Sequence, residues 1–462
     1  MIEENVTIIR NVRKRNIKYM IMWVFYFSWY IIFTSWWTAS PITSTIFDIK
    51  SRVLLHSITL LSSVLIIFVM KREKFKKYAT IGGVSALVLT CLFVFNKLNI
   101  LYFPLIIFLG ISIGIIYTSM LIPLIYILNN TEKFYSILLS NLLISVLLIL
   151  NELKIFNITS NLIILLLFLF ISLIPILFFK QTDYEDEKNN FKADMSKSSS
   201  VVYITILINI LYAVFCKGVG RAFLNIENEI FNLYNLNITF YIGCFLGCLT
   251  YLVVYHFIKK CNRTIWSITL LSFSFSVILY LVGGSGIYRQ LFSIFAGVGV
   301  MMGTINVYYI LGVIGKKYWN YLYVKRIILF ITIFGELLGL FVGRFVTVKS
   351  DEELTIVILV ISMLVMFILI HFNGKFETTY YNAAWNEDST KAEIDNFNLR
   401  KFKKYNLSKR EMEVCNKIIE GLSTRQIAAE LHLSEHTVKD YRKSIFKKVN
   451  INTKEELAKR IK

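Results

Sequence analysis

Apolar blocks of about 20 residues recur along most of this 462-residue sequence, separated by short polar loops. At a rise of about 1.5 Å per residue, each block is long enough to cross the roughly 30 Å hydrocarbon layer of a bilayer as an α-helix. No water is available there, so backbone groups must be satisfied within the segment, and helices are the expected form. Twelve spans can be placed, beginning near Tyr19, Arg52, Tyr78, Ile100, Tyr135, Leu162, Val201, Ile238, Ile265, Leu291, Ile327 and Leu354. The first run is full length and shows no small-residue cleavage site, so it is read as a span and not as a signal peptide. A hydrophobic fraction of 56% and a charged fraction of 17% are shifted from a soluble average in the direction this pattern requires.

The distribution of Lys and Arg sets the orientation. With the N-terminal segment (1–18) inside, RNVRKRNIK (10–18), KREKFKK (71–77), KKCNR (259–263) and KKYWNYLYVKR (316–326) are inside, and NKLN (96–99), SGIYRQ (285–290) and KSDEE (349–353) are outside. About 22 basic residues then lie inside and about 8 outside, which predicts cytoplasmic N- and C-termini. The longest polar loop between spans, 180–200, divides them into 19–179 and 201–372, six on each side. This six-plus-six layout resembles the major facilitator superfamily over roughly residues 15–372, in hydropathy and topology only. The resemblance implies two six-helix halves around a central cavity; the alternative is an unrelated polytopic bundle with a simple loop. The family's Gly-x-x-x-Asp-Arg-x-Gly-Arg-type loop between the second and third spans is absent: KREKFKK stands there, without the glycines or the aspartate. That departure counts against vectorial transport and leaves sensing open.

Polar groups in hydrocarbon cost free energy unless they face protein or water. The first span carries four Trp and three Tyr, the seventh carries Asn209, Tyr212 and Lys217, and the tenth carries Asn306, Tyr308 and Tyr309, so these three are expected to face an interior. The sixth and twelfth are nearly pure hydrocarbon and are expected to face lipid. Trp29, Tyr30, Asn209, Tyr212, Asn306 and Tyr309 are ligand-contact candidates, with packing or interfacial anchoring as the alternative for the aromatic ones. Glu336 lies near the midpoint of IILFITIFGELLGLFVGRFVTV (327–348), where a carboxyl is either a functional site or a protonated, hydrogen-bonded structural group. Gly243 and Gly247, interleaved with Cys244 and Cys248 in GCFLGC, read as helix packing. No catalytic constellation, metal spacing or cofactor loop is present in the sequence, so no enzymatic activity, metal or cofactor is expected.

After the twelfth span the composition changes. Residues 373–406 lack apolar periodicity and read as a tether that reaches about 30 Å as flexible coil. Nothing in them resembles a phosphoacceptor receiver domain. Residues 407–462 read as a soluble domain of four helices, opened by Ser408 with Glu411, Ser423 with Gln426, Ser434, and Thr453 with Glu456. In the third helix Val438, Tyr441, Ile445 and Val449 share one side, and Lys439, Asp440, Lys443 and Lys447 lie within about 100° on the other. The first side is expected to pack on Ile418, Ile419, Leu422 and Ile427 and the second to enter a major groove, which admits an α-helix.

The run LSKREMEVCNKIIEGLSTRQIAAELHLSEHTVKDYRKSIFKKVNI resembles the LuxR/GerE-type (NarL-type) helix-turn-helix over nearly all of the tail, at Leu407, Arg410, Glu411, Gly421, Ile427, Thr437, Val438, Lys439 and Ile445 among others. Tyr441, and Val449-Asn450-Ile451, depart from the usual pattern. The resemblance implies binding of double-stranded DNA as a homodimer, with the fourth helix (Lys454–Ile461) at the dimer contact. It puts Lys439, Asp440 and Lys443 at base-facing positions, with Ser434, Thr437 and Lys447 on the same DNA-binding surface. The whole sequence therefore reads as an all-α, twelve-span bacterial inner-membrane regulator that senses a small molecule of unknown identity. The alternative is a transporter carrying a regulatory DNA-binding tail.

Overall fold

The computed structural model describes residues 12–36, 45–46, 49–95, 102–156, 158–180, 182–185, 236–257, 261–282, 286–318, isolated positions between 360 and 368, and, in the tail, 405, 407–419, 422–431, 433–449, 451 and 456–457. The chain forms two compact units, 1–382 and 383–462.

In the first unit the described helices are α1 (Ile17–Trp36), α2 (Ser51–Val69), α3 (Phe75–Phe95), α4 (Tyr102–Ile122), α5 (Asn130–Glu152), α6 (Ile158–Leu177), α7 (Leu236–Phe257), α8 (Cys261–Val282) and α9 (Gly286–Tyr318). The fold is all-α but for a two-residue antiparallel ladder pairing Thr45 with Lys50 and Ile46 with Ile49. Among the described residues five stretches are each long and apolar enough to cross a membrane: Phe103–Ile127, Asn130–Glu152, Leu236–Phe257, Thr264–Val282 and Gly286–Val313. Between Val69 and Arg72 the chain bends by 116°, within the expected KREKFKK loop. The spans expected near Val201 and Ile327 lie outside the described residues, as does nearly all of the one near Leu354.

Two helices depart from their expected limits. α4 runs on into one wide turn, Pro123–Ile127, in which the Leu128 N–H donates to the Pro123 carbonyl at 3.1 Å. Pro123 brings no N–H to the helical ladder, and the turn widens there. α5 starts at Asn130, more than a turn before the expected Tyr135, because NNTEK is a buried helix start and not a loop. Asn129 Oδ1 accepts from the Glu132 N–H and Glu132 Oε2 accepts from the Asn129 N–H, each at 2.8 Å. This capping box satisfies two donors at the helix start.

α1 packs on α5 and α6, and α4 packs on α2 and α3; in the second half α9 packs on both α7 and α8. The halves meet where α5 lies against α7 and α9. There Phe134 stacks on Tyr255 with ring centroids 3.6 Å apart. Away from these contacts, Leu61, Leu65 and Phe68 of α2, Val84, Val88 and Leu92 of α3, and Ile163, Leu167 and Phe170 of α6 stand exposed at steps of three and four. Such stripes suit hydrocarbon and not water. On α6 only one stripe is exposed: Leu169 and Ser172 on its other side are fully buried.

Glycines set the α7–α9 distance. A methyl at Gly243 would lie 2.1 Å from the Ile294 carbonyl oxygen, and one at Gly297 would lie 2.2 Å from that of Phe240. Gly247 meets Val298 in the same way, and Cys244 and Cys248 are buried free thiols, so GCFLGC is a packing surface as expected. Since each obstacle is backbone, Gly297→Val should force the helices apart. It should lower stability by about 1–3 kcal/mol in thermal unfolding of the detergent-solubilised protein.

In the second unit α10 (Lys409–Ile419), α11 (Thr424–Leu431) and α12 (Glu435–Val449) enclose Val414, Ile418, Ile427, Val438, Ile445 and Val449. The side chain of Ile419 lies outside the described residues, as does most of the fourth expected helix, of which Leu457 is seen buried in this core.

Candidate functional site

The tail presents one exposed basic helix on a buried scaffold. Ser434 Oγ accepts from the Thr437 N–H at 3.0 Å and lies 2.7 Å from Thr437 Oγ1, so both residues are engaged in opening α12. The Leu433 N–H reaches back to the Ala428 carbonyl at 2.9 Å and tightens the turn from α11. Lys439, Asp440, Arg442, Lys443 and Lys447 are exposed, while Val438, Ile445 and Val449 are buried. His436 Nδ1 lies 3.1 Å from Asp440 Oδ2 one turn on, and the Arg442 guanidinium sits 5.2 Å from the centroid of Phe446. The expected reading side is thus the exposed side, with His436 and Arg442 added to it.

Glu411 fixes that helix to α10. Its Oε1 accepts from Ser444 Oγ at 2.5 Å, and its Oε2 accepts from Lys448 Nζ at 2.7 Å and from the Ser408 N–H at 2.6 Å. Burial alone would raise its pKa, but the hydrogen bonds from Lys448, Ser444 and Ser408 outweigh burial and hold the carboxyl at about 2. Burial pushes the neighbouring Cys415 thiol up to about 12, which leaves it inert.

In the membrane unit, side chains of both halves meet in an aromatic cluster. Trp23 and Phe27 of α1 stack at 5.3 Å, and Tyr308 of α9 sets its ring edge against both, at 5.6 and 5.1 Å. The Tyr308 hydroxyl is 2.9 Å from that of Tyr117 on α4. Tyr117 adjoins Tyr30, whose hydroxyl is 3.3 Å from His56 Nδ1. Of the sequence candidates, Tyr30 joins this cluster. Trp29, fully buried, stacks instead on Phe33 at 5.4 Å. Asn306 Oδ1 accepts from the Tyr251 hydroxyl at 3.1 Å, and Tyr309 packs edge-on to Phe134 and Tyr255, so both belong to the contact with α5 and α7. Asn209, Tyr212 and Glu336 lie outside the described residues.

One to two turns further along α9 lies a polar clasp. Lys133 of α5, fully buried, donates to the Gly312 carbonyl at 2.9 Å, and Lys316 of α9, 4% exposed, donates to the Leu128 carbonyl at 3.3 Å. Each half thus sends one ammonium to a backbone carbonyl of the other. Gly312 makes room, since a methyl there would lie 3.0 Å from Lys133 Cδ. Beside it, fully buried Glu132 accepts from the Arg13 N–H at 2.8 Å, from Arg13 Nη2 at 3.2 Å and from Asn16 Nδ2 at 2.7 Å. The carbonyl of Ile127, at the end of the wide turn, accepts from Arg13 Nη2 at 2.8 Å. Carbonyls at a helix C-terminus carry partial negative charge, which suits these cations. Along the chain NNTEK and KKY look like loop residues, and the one readable signal of this clasp is the Asn129–Glu132 capping pattern.

Comparison with known proteins decides what the tail is. The bacterial regulatory proteins of the luxR family match residues 405–461. This tail is a LuxR-type DNA-binding domain. The transcriptional regulatory protein UhpA of Escherichia coli (strain K12) is 40% identical over 55 residues, a match that spans 12% of this chain and 28% of the length of UhpA. The membrane unit is matched by solved structures at the level of fold. A bacterial homologue of the iron transporter ferroportin in the outward-facing state shares 11% identity at a TM-score of 0.53, with 79% of this chain and 99% of that chain covered. The major facilitator superfamily transporter FucP in the outward conformation shares 15% at 0.52, covering 77% and 98%. The protein therefore joins a bundle whose fold is like that of these transporters to a LuxR-type helix-turn-helix.

Two measurements check the LuxR-type domain. Lys439→Ala or Lys443→Ala should cost about 1–3 kcal/mol of discrimination at single base pairs of a selected operator, whereas Lys447→Ala should weaken all sequences alike and reduce the salt slope by about 1, by fluorescence anisotropy. Glu411→Gln should destabilise the domain by about 1.5–3 kcal/mol, read as faster amide exchange of residues 407–457 in the full chain. The carboxyl's ordinary pKa is 4.5 and its folded value about 2, so its contribution is complete above pH 4.5 and lost as pH falls toward 2. The glutamine variant should lack that part of the acid sensitivity.

Proposed function

We propose that the protein is a membrane-embedded, one-component transcriptional regulator in the bacterial inner membrane, with both termini in the cytoplasm. The membrane bundle receives a small molecule, and the LuxR-type tail, acting as a homodimer, carries the response to promoter DNA. One observation carries this reading. Tyr308, Gly312 and Lys316 stand one helical turn apart on α9, and each bonds across to the first half, at Tyr117, Lys133 and Leu128. About 12 Å of one helix stripe therefore links the central aromatic cluster to the clasp. A ligand that changes the separation of the halves at Tyr308 changes it at Lys316 as well. Its effect is limited by its preference for one separation over the other.

Transport with an attached regulatory tail is the second reading, favoured by the likeness of fold. The absent loop motif between the second and third spans weighs against it. Promoter occupancy and vesicle flux separate the two. With full-length protein, occupancy measured by chromatin immunoprecipitation should change on addition of an inducing compound, and vesicles should show no flux of that compound above background. Lys133→Met with Lys316→Met should release the clasp and make occupancy independent of the compound. Occupancy that never responds in the wild type, or that responds unchanged in the double variant, would refute this mechanism.

A further inference from the structure

The aromatic cluster holds an unsatisfied donor. Trp23 Nε1 is buried and makes no hydrogen bond among the described residues, although the ring is fully enclosed. A buried indole N–H normally finds a partner, and leaving one unpaired costs about 1–3 kcal/mol. The ring that carries this donor stacks on Phe27 and lies against Tyr308 of α9, so the residue with the unpaired N–H belongs to the contact between α1 and α9. Around it the hydroxyls are engaged: Tyr308 with Tyr117, and Tyr30 with His56. The described carboxylates of the bundle, Glu73, Glu132, Glu152, Asp183 and Glu185, all stand at helix ends or in loops, as do the described lysines and arginines.

We infer that Trp23, Phe27, Tyr117 and Tyr308 form the receptor site, and that its ligand is a neutral, flat, largely aromatic molecule bearing a hydrogen-bond acceptor such as a carbonyl oxygen. This rests on the sensing function proposed above and names the ligand class for it. The rings supply apolar faces and edges, which favour another ring offset or edge-on. The Trp23 N–H supplies one directed contact, which only an acceptor can satisfy. The N–H end of the indole repels a cation, and an anion would lose its hydration for a single neutral donor. In this state the rings touch, so a ligand entering between Trp23 and Tyr308 must move α9 away from α1. That displacement runs down the stripe to Gly312 and Lys316.

Four matched probes test the class: methyl 2-naphthyl ketone, 2-ethylnaphthalene, 2-naphthoate and (2-naphthylmethyl)trimethylammonium. The readout is the half-saturation concentration for the shift in melting temperature of the full-length protein in nanodiscs, with wild type and Trp23→Phe side by side. The ketone should bind best to the wild type. Its advantage over 2-ethylnaphthalene should fall roughly tenfold in Trp23→Phe, which keeps a ring and removes the N–H. The unliganded variant should still melt cooperatively, the loss of the unpaired donor partly offsetting the cost of the cavity left by the smaller ring. Preference for the ammonium or the carboxylate, equal binding of ketone and hydrocarbon, an advantage untouched by Trp23→Phe, or no shift with any probe each overturns the inference. Promoter occupancy that still responds to another compound would then leave the sensing function standing, and occupancy that responds to none would remove both.

Discussion

Two buried ammonium groups crossing between the halves organise the contact of α9 with α5 and with the turn before it. Lys133 and Lys316 are enclosed by protein, and each places its charge on a carbonyl of the opposite half. Separating the halves breaks both hydrogen bonds and leaves each ammonium to find new partners or water. A buried donor stripped of its acceptor is costly, so the closed arrangement has a clear free-energy advantage. The neighbouring Glu132 does the same for the chain's beginning, drawing Arg13 and Asn16 against the end of α4. Gly312 belongs to this arrangement because it alone leaves space for the Lys133 stem.

The central cluster and the clasp use different physics on one stripe of α9. At Tyr308 the contacts are ring edges and one hydroxyl pair, which several ligands could replace at small cost. At Gly312 and Lys316 they are charge-assisted bonds to backbone, which switch between made and broken. The two sets of contacts are joined through one continuous helix, with Tyr308 and Lys316 eight residues apart on α9. In the tail, Glu411 plays a comparable part: two donors from α12 and the N–H of Ser408, just before α10, converge on one carboxylate and fasten α12 to α10.

The all-helical character of the apolar part and the LuxR-type tail were legible in the sequence because each rests on a periodicity or a cap. Ser408, Ser423 and Ser434 were readable as caps, and each does accept from the N–H three residues on. The start of α5 was misplaced because hydrophobicity cannot tell a polar loop from polar residues buried by mutual bonding. Of the ligand candidates, Tyr30 was placed in the cluster, while Trp23 and Tyr117 were not singled out; nothing along the chain distinguishes an aromatic residue that faces the other half from one that packs within its own.

The sequence by itself determined that the chain carries apolar helices long enough to cross a bilayer and that it ends in a LuxR-type domain, since helix length, apolar periodicity and capping are local properties. Only the tertiary structure decided which polar groups face one another across the halves. Lys133 and Gly312 are 179 positions apart, and Tyr117 and Tyr308 are 191 apart. No pattern within a helix encodes such a meeting; it follows from how glycine-lined helices approach and which buried donors then find acceptors.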